Sequence, residues 1–191
     1  MTDLPARQNT SYVEPDPALQ AQHAQFALVF RSEASFVWRS LRRLGVPAAD
    51  LEDICNEVFL TFYRRQADYD PARPLRPWLF GIAYRTAARY RELARHRREV
   101  SSDTLEARDE RPGPDEQLAA FESRRLLAQA LAGLELDRRA VFIMHDIEGC
   151  GMAEIAASLE IPLNTGYSRL RLAREQLKGA LQQLRRRPGD L

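Results

Sequence analysis

Apolar residues along this chain recur at intervals of three and four, the period of an amphipathic helix, and no run alternates as a half-buried strand would. Phe26, Val29, Phe30, Val37, Leu41 and Leu44 mark one face of a helix over 19–44, which Gly45 stops, with Pro47 just beyond. A second helix is expected from Asp50 to Arg65, with Asp50 and Asp53 in its first turn, where the helix dipole favours acids. Its buried face is Leu51, Ile54, Cys55, Val58, Phe59 and Phe62. Pro71, Pro74 and Pro77 then impose a loop that hands over to a third helix, 77–98, turning Trp78, Leu79, Ile82, Ala83, Ala87 and Leu93 inward. Helices over 117–134, 138–146, 152–159 and 163–184 complete the pattern.

Between the two groups of helices lies SSDTLEARDERPGPDE, a stretch too polar to bury and read as an exposed linker. The expected fold is all-α: two small helical domains joined by an acidic flexible linker, the C-terminal one containing a helix-turn-helix. The expected boundaries are a disordered N-terminal extension over 1–18, helical domains over 19–100 and 117–187, and the linker over 101–116. A chain of 191 residues is long enough for two such cores.

The last two helices are joined only by Glu160-Ile161-Pro162. Met152, Ile155, Ala156 and Leu159 form an apolar stripe that Leu163, Leu170, Ala173 and Leu177 continue, and the small Ala156 and Ala157 allow close approach. The outer face carries Asn164, Thr165, Tyr167, Ser168, Arg169, Arg171 and Arg174. A helix-turn-helix needs this layout, because arginine can bond guanine edges, asparagine adenine edges, and the remaining polar groups phosphates. An ordinary helical hairpin with a solvated arginine face is the alternative. Gly166 falls on the inward stripe, costing about 1 kcal/mol of helix propensity relative to alanine. Gly166→Val is therefore expected to raise the melting temperature.

Formal net charge is only +1, yet charge is segregated. Residues 21–100 carry +5, residues 101–123 carry −5 and residues 149–191 carry +3. Asymmetry of this kind speaks to partners rather than fold. The third helix concentrates arginine, including Arg85, Arg89 and Arg95, beside Tyr69, Trp78, Phe80, Tyr84 and Tyr90. Cations that track phosphates and rings that stack on bases suit unstacked single strands. Trp78 itself falls on the core stripe. Asp50, Glu52, Asp53, Asn56 and Glu57 give the second helix an acidic polar face that is either solvated or docks a basic protein.

Catalytic and metal readings find little. His23, His96 and His145 lack ligand spacing to Cys55 or Cys150, and two cysteines make neither a disulfide framework nor a zinc site. No phosphate-binding glycine loop or nucleophile motif is present. No cofactor and no catalysis are expected. The N-terminus has no secretory pattern and no apolar run reaches bilayer length, which points to a cytoplasmic protein without membrane insertion.

ADLEDICNEVFLTFYRR, then DYDPARPLRPWLFGIAYRTAARYRELARHRR, then a helix-turn-helix after an acidic linker resemble bacterial RNA polymerase sigma factors of the extracytoplasmic-function (ECF) type, over about residues 20–185. The resemblance makes 19–100 sigma region 2 and 117–187 sigma region 4. It implies a transcription initiation factor that binds core RNA polymerase, directs it to promoter DNA and helps melt the −10 element. Asp50, Glu52, Asp53, Asn56 and Glu57 would dock on the polymerase. Tyr69, Arg76, Arg85, Arg89 and Arg95 would serve the −10 element, and the outer face of the last helix the −35 element. An anti-sigma factor is a further implied partner. The chain departs from the family at Tyr84-Arg85, where Arg-Asn is usual, and at Gly166. The alternatives are a helix-turn-helix regulator acting without polymerase and a helical adaptor for acidic proteins.

Overall fold

The computed structural model describes residues 16–100 and 118–186, and every regular element in them is helical. The linker over 101–116 and nearly all of the N-terminal extension lie outside the described residues. The elements are α1 (Pro17–Leu44), α2 (Leu51–Arg65), α3 (Leu75–Val100), α4 (Leu118–Ala132), α5 (Leu136–Phe142), α6 (Met152–Leu159) and α7 (Leu163–Arg186). A π-helical turn, Ile143–Ile147, prolongs α5. α3 begins two residues ahead of Pro77, because a proline in the first turn forfeits no intrahelical bond.

α1 stops where the sequence predicts. Gly45 adopts φ +94°, its N–H bonds the Arg42 carbonyl at 3.0 Å, and the Val46 N–H bonds the Leu41 carbonyl at 3.1 Å. That pair of bonds satisfies carbonyls the helix end would otherwise leave open. α6 ends in the same way with Glu160 in the left-handed region, φ +57°, and Ile161 N–H on the Ala156 carbonyl at 3.0 Å. Glutamate adopts that conformation less readily than glycine.

α1, α2 and α3 enclose Val37, Leu41, Leu44, Leu51, Val58, Phe59, Phe62, Leu79 and Phe80. Two positions on the expected stripes face outward: Phe30 is 39% exposed and Leu93 is 51% exposed. Phe36, absent from that stripe, is buried instead. α1 meets α4 and α5 as well as α2 and α3, and Phe36 and Ser40 are buried on it. Beyond Ala87, α3 has no buried residue up to His96, so Leu93 lies past the core.

Ala130, Leu131, Leu134, Ala173 and Leu177 form a second buried cluster between α4 and α7. Val141, Ile143, Met144, Met152 and Ile155 instead join the cluster built by α1–α3. The two groups of helices therefore pack on one another, α3 against α6 and α1 against α5. Burial of each such aliphatic side chain contributes about 1.5–3 kcal/mol, so this contact is substantial. Periodicity marks which residues are buried and does not say against which helix.

Arg139 is 3% exposed at this junction. Its Nη1 donates to the Leu44 carbonyl at 3.1 Å, and its Nη2 to the carbonyls of Ala132 and Leu134 at 2.7 and 2.9 Å. Burial, with Arg91 nearby, pulls its pKa down to about 10. Arg139→Met keeps much of the volume and removes the three donors. Unfolding free energy should fall by roughly 2–4 kcal/mol, as expected when buried carbonyls lose a charged partner. Chemical denaturation measures this, and undiminished stability would show that volume alone matters there.

Gly166 is buried, and the space beside it is already filled. A Cβ there would lie 2.6 Å from Met152 Sδ and 3.4 Å from its Cγ. The gain expected from Gly166→Val is opposed by this contact, since a branched side chain meets a site that the Met152 side chain occupies. Leu163, also placed on the stripe, is 46% exposed, and Ala157 faces away from α7 into a cavity beside α3. Gly166→Val should lower the melting temperature, and adding Met152→Ala should recover part of the loss. Thermal unfolding followed by circular dichroism distinguishes this from a stabilising single variant.

Candidate nucleic-acid interface

The proline-rich loop before α3 is held by its own polar groups. Asp70 Oδ1 accepts the Ala72 N–H at 2.9 Å, the Arg73 N–H bonds the Asp70 carbonyl at 3.0 Å, and Tyr69 Oη donates to the Arg73 carbonyl at 2.6 Å. These bonds present Tyr69 against Trp78, ring centroids 5.2 Å apart, with Trp78 edge-on to Phe62 at 5.6 Å. Trp78 is half-buried, serving the core with one side and a cavity with the other. That cavity, about 560 Å³, is lined on this side by Tyr69, Trp78, Arg85 and the ion pairs Arg65–Asp68 and Arg73–Asp70, and on the other by one face of α6, with Glu154 and Glu160. The stepped pair of rings offers a stacking surface, and the guanidinium groups beside it are each paired with an acid of the same lining.

The arginines of α3 and its entry have protein partners. Arg76 donates to Glu33 at 2.9 Å and lies 5.3 Å over the Phe36 ring. Arg85 bonds the Ser158 carbonyl at 3.1 Å and Glu160 at 3.2 Å. Burial lowers its pKa, with Glu160 acting in the opposite sense. Arg89 pairs with Glu57, and Arg95 is exposed.

On the helix-turn-helix, α6 and α7 pack through the expected stripe of Met152, Ile155, Ala156, Leu159, Leu170, Ala173 and Leu177. Asn164, Tyr167 and Ser168 are exposed, Tyr167 at 55%, and Thr165 is half-buried. Arg171 pairs with Glu175 at 2.8 Å. Arg174 makes two bonds to Asp146, at 2.8 and 2.6 Å, and His145 Nδ1 lies 2.7 Å from the same carboxylate. The Arg174 bond holds the Asp146 pKa below the usual carboxylate range. Arg169 turns sideways to Asp137 of α5, whose other oxygen accepts Tyr84 Oη at 2.6 Å.

Residues 29–99 match the family described as Sigma-70 region 2, and residues 124–177 match Sigma-70, region 4. The ECF RNA polymerase sigma factor SigL of Mycobacterium tuberculosis is 36% identical over 168 residues, covering 87% of this chain and 94% of SigL. The chain belongs to the ECF sigma factors. It is thus a polymerase-associated promoter-specificity factor, of a family generally without enzymatic activity. Among solved structures, CnrH in complex with the cytosolic domain of CnrY aligns at TM-score 0.61 and 25% identity, covering 86% of this chain and 94% of CnrH. The sigma factor RpoE in complex with the anti-sigma factor NepR, from Bartonella quintana, shares the fold at TM-score 0.69 and 19% identity, over 83% of this chain and 97% of RpoE.

The acidic face of α2 in this sigma factor divides into two parts. Glu52, Asp53 and Asn56 are exposed. Asp50 accepts Tyr90 Oη at 2.6 Å and Glu57 holds Arg89, so both tie α2 to α3. Phe30 and Trp38 line a groove beside Glu52 and Asn56 that the charge pattern does not reveal. Arg65 and Arg73, not among the residues singled out from the sequence, border the same cavity and pair with Asp68 and Asp70. Asp137, Asp146, Ser158 and Glu160 carry no local signal, because each meets its arginine across the fold. Cys55 and Cys150 have thiol pKa values pushed up chiefly by burial, which keeps them protonated and poorly nucleophilic. Among the described residues no helix is long and apolar enough to cross a membrane, and no metal-binding cluster occurs.

Tyr84 provides a spectroscopic handle on the Asp137 contact. Burial first, and then the Asp137 carboxylate, push its pKa up to about 12. Its raised value means the contact contributes stability fully below the ordinary tyrosine range and loses it as pH climbs toward 12. Absorbance titration at tyrosinate wavelengths should show one late step near pH 12 that Tyr84→Phe deletes. Persistence of that step in the variant would place it elsewhere.

Proposed function

We propose that this sigma factor docks on core RNA polymerase through α2, holds an unstacked base of the −10 element against Tyr69 and Trp78, and reads the −35 element with α7. Residues 19–100 would serve as region 2 and residues 117–187 as region 4. The observation that carries the reading is the ring step of Tyr69 and Trp78 in a cavity bordered by Arg65, Arg73 and Arg85. Rings and cations so arranged serve a single strand better than a duplex. Asn164, Tyr167 and Ser168 stand ready for duplex edges and phosphates, while Thr165 is only partly exposed. Arg169, Arg171 and Arg174 join them once released from their carboxylates, as do Arg76, Arg85 and Arg89 on the −10 side. Arg95 needs no such release to be reached.

Polymerase docking falls to Glu52, Asp53 and Asn56, which are exposed, while Asp50 and Glu57 brace them from α3. The factor acts in the cytoplasm, without chemistry or cofactor of its own. An anti-sigma protein, of the kind crystallised with RpoE, is a further partner in this reading. Co-elution with bacterial core RNA polymerase tests the docking face. Glu52→Arg with Asp53→Arg should weaken core binding on the order of tenfold or more, because like charges brought together cost several kcal/mol. Undiminished binding would reject α2 as the docking helix.

A further inference from the structure

Arg169, Arg171 and Arg174 of α7 each hold a carboxylate, but not in the same way. Arg169 turns sideways to Asp137, and Arg171 pairs with Glu175 one turn along its own helix, where both side chains are mostly exposed. Arg174 is met from another element. Asp146, in the π-helical turn Ile143–Ile147, accepts Nε on Oδ2 at 2.8 Å and Nη2 on Oδ1 at 2.6 Å. This side-on grip leaves the end-on edge of the guanidinium, one N–H each from Nη1 and Nη2, turned away from Asp146. The carboxylate is held in turn, since His145 Nδ1 lies 2.7 Å from Oδ1, and the Arg174 side chain is still 53% exposed. Arg174 stands seven residues after Tyr167 and three after Arg171, so the three share one exposed ridge of α7.

The geometry points to Arg174 as a guanine reader that Asp146 positions: the side-on grip fixes the plane of the guanidinium and offers its end-on edge to O6 and N7 of one base in the major groove. The proposal rests on the assignment of α7 to duplex DNA, and names the base that one of its residues takes. Of the bases, only guanine presents two acceptors side by side in that groove, which is what a fork of two donors needs. A phosphate also offers two acceptors, but it is an anion. Asp146 cancels the cation at contact distance, so a phosphate meets a neutral pair with a carboxylate at its rim. An uncharged base edge loses nothing by that carboxylate. A phosphate would therefore require Arg174 to let go of Asp146, and guanine does not. Arg171 has no such brace, because its partner is an equally exposed side chain of the same helix. Asp146 is thus a positioning residue, and the π-helical turn that carries it serves recognition.

The test is selection from duplexes carrying a randomised segment, by the full chain with and without core polymerase, followed by sequencing of the bound fraction. Wild type should prefer guanine at one position by about tenfold or more. Arg174→Lys keeps the charge and loses the fork, so it should abolish that one preference and leave the salt dependence of binding unchanged. Asp146→Asn keeps the shape and removes the brace. It should weaken the same guanine preference severalfold and steepen the salt dependence, because Arg174 is then uncompensated. Asn164→Ala is the control for a different position of α7. A loss of affinity in Asp146→Asn that is uniform over all sequences makes the aspartate merely structural and overturns its positioning role. Guanine preference intact in Arg174→Lys, while Asn164→Ala alters another position, overturns the guanine contact and keeps α7 as the duplex reader. If wild type selects no sequence, or none of the three substitutions alters what is selected, the assignment of α7 to duplex DNA is overturned and the guanine contact with it.

Discussion

A cation buried without a carboxylate is the constraint on which the arrangement of this sigma factor depends. The Arg139 guanidinium is met by backbone alone, Nη1 and Nη2 donating to the carbonyl ends of α1 and of the α4 terminus while the buried Nε has no acceptor. Helix C-termini carry partial negative charge and unsatisfied carbonyls, so two of them converging on one arginine satisfy three needs at once. The fit leaves no spare room. A Cβ on Gly45 would come within 2.6 Å of Arg139 Nη1, and the left-handed φ of Gly45 already favours glycine. The residue that terminates α1 is thereby the residue that admits the arginine.

Fixing Arg139 fixes α5, and α5 determines what lies on either side of it. Asp137, two residues earlier, is held where it meets both Tyr84 and Arg169. On the other side, Val141, Ile143 and Met144 enter the core built by α1–α3. The π-helical turn that follows rotates the chain so that Asp146 faces α7, where it takes two bonds from Arg174. Gly149, at φ +71°, then redirects the backbone into α6. A π turn inside a helix commonly marks a functional segment, and here it lets one short stretch serve the core with one face and the recognition helix with the other.

Periodicity made the helices legible, as Met152–Leu159 illustrates, where expected and observed bounds coincide. Local chemistry made their ends legible too: Gly45 for α1, and a run of prolines before α3. The candidate surfaces could be read as well, because arginines and rings cluster in sequence before they cluster in space. What escaped was every contact between distant segments. Gly166 looked like an absence on the stripe because Met152, fourteen positions earlier, is what fills it. Leu93 looked inward because a stripe does not announce where the neighbouring helices end. Asp137 and Glu160 looked like ordinary surface acids, since nothing nearby in sequence identifies Arg169 or Arg85 as their partners.

Those long-range pairs also give the near-neutral net charge a meaning. Arg76, Arg85, Arg89, Arg169 and Arg174 are matched to Glu33, Glu160, Glu57, Asp137 and Asp146. Every arginine proposed for DNA except Arg95 already holds a protein carboxylate, so at those positions a phosphate must displace that carboxylate. Such an exchange trades one charge-assisted bond for another and yields little free energy from electrostatics. On the proposed assignment, affinity for DNA then comes from stacking on Tyr69 and Trp78, from base edges on α7, and from what polymerase adds. Glu160 and Asp137 also join α3 to the C-terminal helices, so the residues that pair these arginines are among those that hold the two helical groups together.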